Sequence, residues 1–109
     1  MTTLSTHVLD IERGAPAEGV PIGLYRGEQP LAQAETNADG RIADLGGGAS
    51  LETGSYRLVF DVAAYFARQG RAAPFLERIS IDFQVNATDP HYHVPLLLSP
   101  YACTSYRGS

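Results

Sequence analysis

Polar and apolar positions alternate along most of this 109-residue chain. Leu4, Thr6 and Val8 interleave with Ser5, His7 and Leu9, and Ile79, Ile81, Phe83 and Val85 interleave with Ser80, Asp82 and Gln84. A period of two sets successive side chains on opposite faces of a strand. The same pattern predicts strands over 20–25, 31–36, 54–62, 91–98 and 101–106, with a short run over 41–45. Gly and Pro punctuate these runs. Gly14-Ala15-Pro16 turns the chain after the first strand, Asn37-Ala38-Asp39-Gly40 forms a tight turn into Arg41, and Gly46-Gly47-Gly48 is a flexible loop. One helical stretch interrupts the alternation, over 62–69, with Asp61 placed to cap its start and Gly70 suited to its end. About eight short strands and one short helix predict an all-β fold, a two-sheet sandwich.

Length and composition restrict this picture. A chain of 109 residues has room for one core, so residues 1–109 read as a single domain. Hydrophobic residues make up 44% and charged residues only 18%, against about 25% charged in typical domains. That shortfall predicts that other subunits cover part of the surface. The net charge of −4, with no basic cluster, argues against a nucleic-acid partner. Cys103 is the only cysteine, which rules out an internal disulfide, and no stretch approaches a membrane span. With no leader-like pattern at Met1-Thr2-Thr3, the expected location is the cytoplasm.

The candidate chemistry is sparse. Two of the three histidines, His91 and His93, would share one strand face, while His7 lies within the first strand. Pro95 has no N–H to give a ladder, which predicts an edge strand or a local irregularity there. A lone strand histidine is more often a hydrogen-bonded structural residue than a catalyst. The His-X-His spacing also admits a metal site, with His7 as third ligand. Arg41 after a turn is ordinarily solvated, and Cys103 lacks any neighbour that would set up a thiolate, so a packing role fits it. No nucleophile elbow, phosphate loop or dinucleotide fingerprint is present. On composition and spacing alone, these alternatives stay open.

A family likeness goes further. LSTHVLD at 4–10, Gly14-Ala15-Pro16-Ala17 leading into Val20-Pro21-Ile22, Thr36-Asn37-Ala38-Asp39-Gly40-Arg41-Ile42, and above all HYHVPLLLSPYACTSYRGS at 91–109 resemble the 5-hydroxyisourate hydrolase branch of the transthyretin-like family. The terminal Tyr106-Arg107-Gly108-Ser109 is that branch's distinguishing signature, and transthyretin itself lacks it. Two positions depart from the family pattern, with Ala102 in place of a glycine and Cys103 in place of an aromatic.

The resemblance implies a homotetramer of transthyretin-like sandwiches with sites where two dimers meet. It also implies a cofactor-independent, metal-free hydrolysis of the small molecule 5-hydroxyisourate. Its catalytic residues fall on His7, Arg41 and His93, and its substrate-binding set adds Tyr106, Arg107, Gly108 and Ser109 with the chain-terminal carboxylate. His91 is not carried over as catalytic. A histidine base suits such a reaction, because its ordinary pKa of about 6.5 lies near working pH. Two rival classes remain: a non-catalytic, transthyretin-like tetramer that binds a small ligand, and a zinc hydrolase on His7, His91 and His93.

Overall fold

The structure, a computed structural model, describes residues 1–109. It contains nine strands and one helix: β1 Thr3–Asp10, β2 Ala15–Pro16, β3 Pro21–Arg26, β4 Gln29–Glu35, β5 Arg41–Ile42, β6 Gly54–Asp61, α1 Val62–Arg68, β7 Arg78–Val85, β8 His91–Leu98 and β9 Cys103–Ser105. They form two sheets. One has the order β2-β1-β8-β9, with β5 also paired to β1, and the other has the order β4-β3-β6-β7.

The strand count rises to nine because the turn after β1 folds back as β2, pairing Leu9 with Pro16 and Asp10 with Ala15. The run predicted over 41–45 shortens to Arg41–Ile42, since Asp44 leaves the ladder to accept N–H bonds from Gly46 and Gly48. These bonds tie the triple-glycine segment into a turn held by one side chain.

The core lies between the sheets. Leu4 and Val8 of β1 and Leu96 and Leu98 of β8 face Ile22, Leu24, Leu58 and Phe60 of the opposite sheet, all buried. Each such aliphatic or aromatic side chain contributes about 1.5–3 kcal/mol by leaving water. Alternation along β1 and β8 therefore decides the other face too: Ser5, His7 and His93 are turned away from the core and only half-buried.

Helix α1 closes one end, burying Val62, Tyr65 and Phe66. Asp61 caps it by accepting from the Ala64 N–H, and Gly70 leaves it at φ +64°. The helix also serves a buried acid. Asp10, with no exposed surface, accepts from Tyr65 Oη at 2.8 Å, from Arg71 Nη1 at 2.6 Å and from the Arg13 N–H at 3.0 Å. Arg71 also pairs with Glu12 and lies over the Phe66 ring. Burial alone would raise the Asp10 pKa, but the bonds from Arg71, Tyr65 and Arg13 outweigh it and hold the carboxyl below its ordinary value.

Candidate active site

The turn over 37–41 delivers Arg41 to the outward face of the first sheet. Asn37 Oδ1 accepts from the N–H groups of Asp39 and Arg41 at 2.9 and 3.0 Å. Gly40 sits at φ +74°, and a Cβ there would collide with the Val8 carbonyl oxygen, so both conformation and space demand glycine. Arg41 then pairs with His7 across the β1–β5 ladder. Its guanidinium takes no hydrogen bond or ion pair within the chain, although its backbone is fully engaged.

Parallel pairing of β1 with β8 sets Thr3 opposite His91, Ser5 opposite His93 and His7 opposite Pro95. These side chains share one face. Ser5 Oγ lies 2.8 Å from His91 Nε2 and 2.7 Å from His93 Nδ1, and Thr3 Oγ1 lies 2.5 Å from His91 Nδ1. Both ring nitrogens of His91 and one of His93 are thus turned to hydroxyls. The zinc alternative lacks a donor set, for no three His, Cys, Asp or Glu side chains converge as metal ligands.

Pro95 does not mark an edge. Strand β8 lies between β1 and β9, and the irregularity falls on the β9 side. The ladder runs from Leu98↔Cys103 to Leu96↔Ser105 and then breaks, because Pro95 has no N–H to continue it. Ser105 Oγ caps the Pro95 carbonyl at 2.8 Å instead. The pairing resumes in the same register as a single bridge, His93 with Gly108, whose N–H donates to the His93 carbonyl at 2.7 Å. A Cβ on Gly108 would stand 2.5 Å from His93 Cδ2, so glycine lets the tail backbone lie against the ring.

The tail residues diverge at this point. Ser109 joins Ser5, Asn37, Arg41, His91 and His93 around a recess of about 390 Å³. Arg107 turns the other way, with its guanidinium 4.1 Å from the centre of the Tyr92 ring, 3.3 Å from the His91 carbonyl oxygen and 3.7 Å from Asp89. Tyr106 follows it to a separate apolar pocket of about 230 Å³ beside Ile81, Phe83 and Val94. Of the tetrapeptide, only Ser109 lines the histidine recess, and Gly108 meets it through His93. His7 does not line the recess either, but stands beside Arg41 in the ladder.

The electrostatics single out His93. Burial pushes its pKa below the ordinary histidine value, and the charges of Arg41, His7 and His91 push it the same way. His93 is therefore neutral at neutral pH, beside a guanidinium with no counter-ion. Cys103 is half-buried against the core, and burial pushes its thiol pKa up, which suits packing rather than nucleophilic attack. A larger depression of about 460 Å³ on the outer face of the second sheet holds no histidine, and its Glu35 is taken up by Arg68 at 2.9 Å. The histidine pair and the unpaired guanidinium gather in the smaller recess.

Thr3, Ser5 and Asn37 escaped the reading of the sequence. The available signal was the alternation of Thr3, Ser5 and His7 on one strand face, matched by His91 and His93 on another, but only the pairing of β1 with β8 makes them neighbours.

Comparison with known proteins finds relatives of the whole chain and of its fold. The chain matches the HIUase/Transthyretin family over residues 4–108. It is 47% identical over 116 residues to the 5-hydroxyisourate hydrolase of Caulobacter vibrioides, covering 100% of both chains. Its fold superposes on the Klebsiella pneumoniae 5-hydroxyisourate hydrolase with a TM-score of 0.92 at 46% identity, covering 100% of each. It superposes on sea bream transthyretin in complex with thyroxine with a TM-score of 0.87 at 30% identity, covering 97% of this chain and 94% of that one.

Proposed function

The chain belongs to the HIUase/transthyretin family, and from that membership we propose that it hydrolyses 5-hydroxyisourate at the recess of Arg41 and His93. The observation that carries this reading is the unpaired guanidinium of Arg41 beside a histidine held neutral by burial and by neighbouring positive charge.

In this reading His93 acts as general base. Its unpartnered Nε2 takes a proton from water as the water oxygen adds to a ring carbonyl. Arg41, always charged, orients the oxygen-rich heterocycle and stabilises the developing oxyanion. Collapse of the adduct breaks the adjacent ring C–N bond. The proton passes to the departing nitrogen, and the new carboxyl group gives its own proton to solvent, leaving the ring-opened carboxylate 2-oxo-4-hydroxy-4-carboxy-5-ureidoimidazoline. His7, paired with Arg41, shares in activating the water, and Ser109 binds substrate at the rim. Gly108 seats the His93 ring, while Tyr106 and Arg107 hold the tail. The chemistry is assigned to these side chains without a cofactor, as purine-ring opening within urate degradation.

We further infer a homotetramer whose dimer–dimer interface completes the recess. Supporting this, Tyr106 is exposed, and β7 and β9 each have a strand neighbour on one side only. The lone thiol of Cys103 suits a reducing, cytoplasmic setting. No helix is long and apolar enough to cross a membrane.

The test is direct. Urate oxidase generates 5-hydroxyisourate in the cuvette, and its ultraviolet decay is followed with and without the protein. Decay faster than the spontaneous background is expected. A rate equal to background would favour a transthyretin-like binding role instead.

A further inference from the structure

We propose that Ser5 and His91 form a proton relay behind His93, switching it between base and acid during each turnover. The proposal rests on the reading of His93 as general base and adds two positioning residues to it.

Ser5 Oγ bridges His93 Nδ1 at 2.7 Å and His91 Nε2 at 2.8 Å, and His91 Nδ1 in turn meets Thr3 Oγ1 at 2.5 Å. A hydroxyl has one proton to donate and lone pairs to accept, and a neutral imidazole has one donor and one acceptor. Two polarities therefore satisfy every link. In the first, His93 Nδ1–H donates to Ser5, Ser5 donates to His91 Nε2, and His91 Nδ1–H donates to Thr3, so that His93 Nε2 is bare and basic. In the second every donor is reversed, and His93 Nε2 carries a proton.

Catalysis requires both states in turn. When Nε2 takes the proton from water, His93 becomes an imidazolium in a place that disfavours it. Burial, Arg41, His7 and His91 all depress its pKa. The relay relieves this. The Nδ1 proton moves to Ser5 Oγ as the Ser5 proton moves to His91 Nε2, leaving His93 neutral with Nε2–H. The positive charge now rests on His91, which is exposed to solvent. His93 Nε2–H is then the acid for the departing ring nitrogen. As it gives that proton up, both relay protons return and the first polarity is restored. The relay ends each turnover with the protons it began with, no electron moves, and water is the sole co-reactant.

The groups that face the pair are His7 on β1, Arg41 on β5, Ser109 on the tail, and Arg107 with Asp89 beside the His91 backbone. Arg41, His91 and His93 all line the recess, but His93 is half-buried whereas His91 is exposed to solvent, which favours moving the charge outward to His91.

Two measurements test this. The first needs no substrate. The imidazole nitrogens of His91 and His93 are followed by nitrogen-15 NMR from pH 5 to 8 in wild type, Ser5→Ala and Ser5→Thr. His93 Nδ1 and His91 Nε2 are expected to shift together with a shared midpoint in wild type and Ser5→Thr, and independently in Ser5→Ala. Independent titration in wild type would overturn the relay even if the enzyme is active. The second is kinetic. His91→Gln keeps a hydrogen-bonding partner for Ser5 but cannot carry the charge. It is expected to lower kcat about 10-fold, a fraction of what general acid–base catalysis supplies, with KM unchanged and kcat restored by added imidazole. Wild-type kcat in both His91→Gln and Ser5→Ala would overturn the proposal. Absence of activity in wild type would defeat the hydrolase reading alone, because the NMR titration does not depend on it.

Discussion

Strand β1 carries two charged clusters that are built on opposite principles. At its end, Asp10 is fully buried and surrounded by donors from Tyr65, Arg71 and Arg13. Three residues earlier, His7 pairs with Arg41, whose guanidinium has no partner in the chain and faces an open recess with His93. Asp10 and Arg71 answer each other. Arg41 has no such answer, and the charge of an arginine cannot be shed by deprotonation. The difference teaches how to tell a structural charge from a functional one: the first is saturated by its own chain, and the second is held ready by backbone pairing and a turn, its side chain unspent.

The largest effects should separate the clusters by activity. Arg41→Ala, His93→Ala and His7→Ala are each expected to lower kcat/KM by about 10²–10³, the scale of a lost acid–base or oxyanion group, with little change in melting temperature. A marked loss of stability in Arg41→Ala would break the comparison, since it would mean that the guanidinium supports the fold.

Asp10→Ala should do the reverse. Removing a buried acid strands Tyr65 Oη and Arg71, and the expected loss is about 2–4 kcal/mol, kept below the usual cost of a broken buried pair because Arg71 is partly solvated. Denaturant unfolding measures it, and activity per folded molecule should hold. The pH dependence has a fixed sign. Asp10 binds its proton less tightly when folded than when unfolded. Its contribution is therefore complete above the unfolded value of about 3.9 and is lost as pH falls through the lower folded value. Acid unfolding that begins well above that range would have to come from another group.

Gly108→Ala tests how the tail seats the site. The new methyl meets His93 Cδ2, so ring or tail must shift. The expected loss is about 10-fold in kcat, since displacements of about 1 Å cost up to about 10²-fold, while unfolding stability is retained. Wild-type activity in this variant would show that the tail does not position His93.

The smallest effect is a shift along the pH axis. His93 is depressed by burial and by Arg41, so its neutral form persists below the ordinary histidine pKa. kcat/KM should fall with acid at a midpoint below about 6.5, and Arg41→Gln should move that midpoint upward in the residual activity. A midpoint that ignores Arg41 would remove the electrostatic link between the two residues.

Much of this was legible in the chain. Alternation alone located β1, β3, β4, β6, β7 and β8 within a few residues, because a half-buried strand imprints a period of two. Asp61 and Gly70 marked the helix, since capping is a local matter. The short elements were less visible. β2 and β5 have two residues each and exist only because β1 offers an open edge to pair with. Pro95 announced an irregularity, but whether it meant a sheet edge or an interrupted interior ladder depended on which strands flank β8. For the site, His7, Arg41 and His93 could be named in advance only through a family likeness. The same likeness places Arg107 among the substrate-binding residues, and in the folded chain its guanidinium lies at Tyr92 and Asp89.

By itself, the sequence determined which residues turn inward, where the chain turns, and that Arg41 must follow a glycine-dependent turn. These are local consequences of side-chain period and backbone sterics. Only the tertiary structure decided that Ser5 meets both His91 and His93, that the Pro95 gap releases Tyr106 and Arg107 before Gly108 re-engages His93, and that Asp10 finds Arg71. Each of these contacts joins residues far apart in sequence. Their register is set by burying the opposite, apolar faces of β1 and β8 against the second sheet, and the polar faces follow wherever that packing carries them.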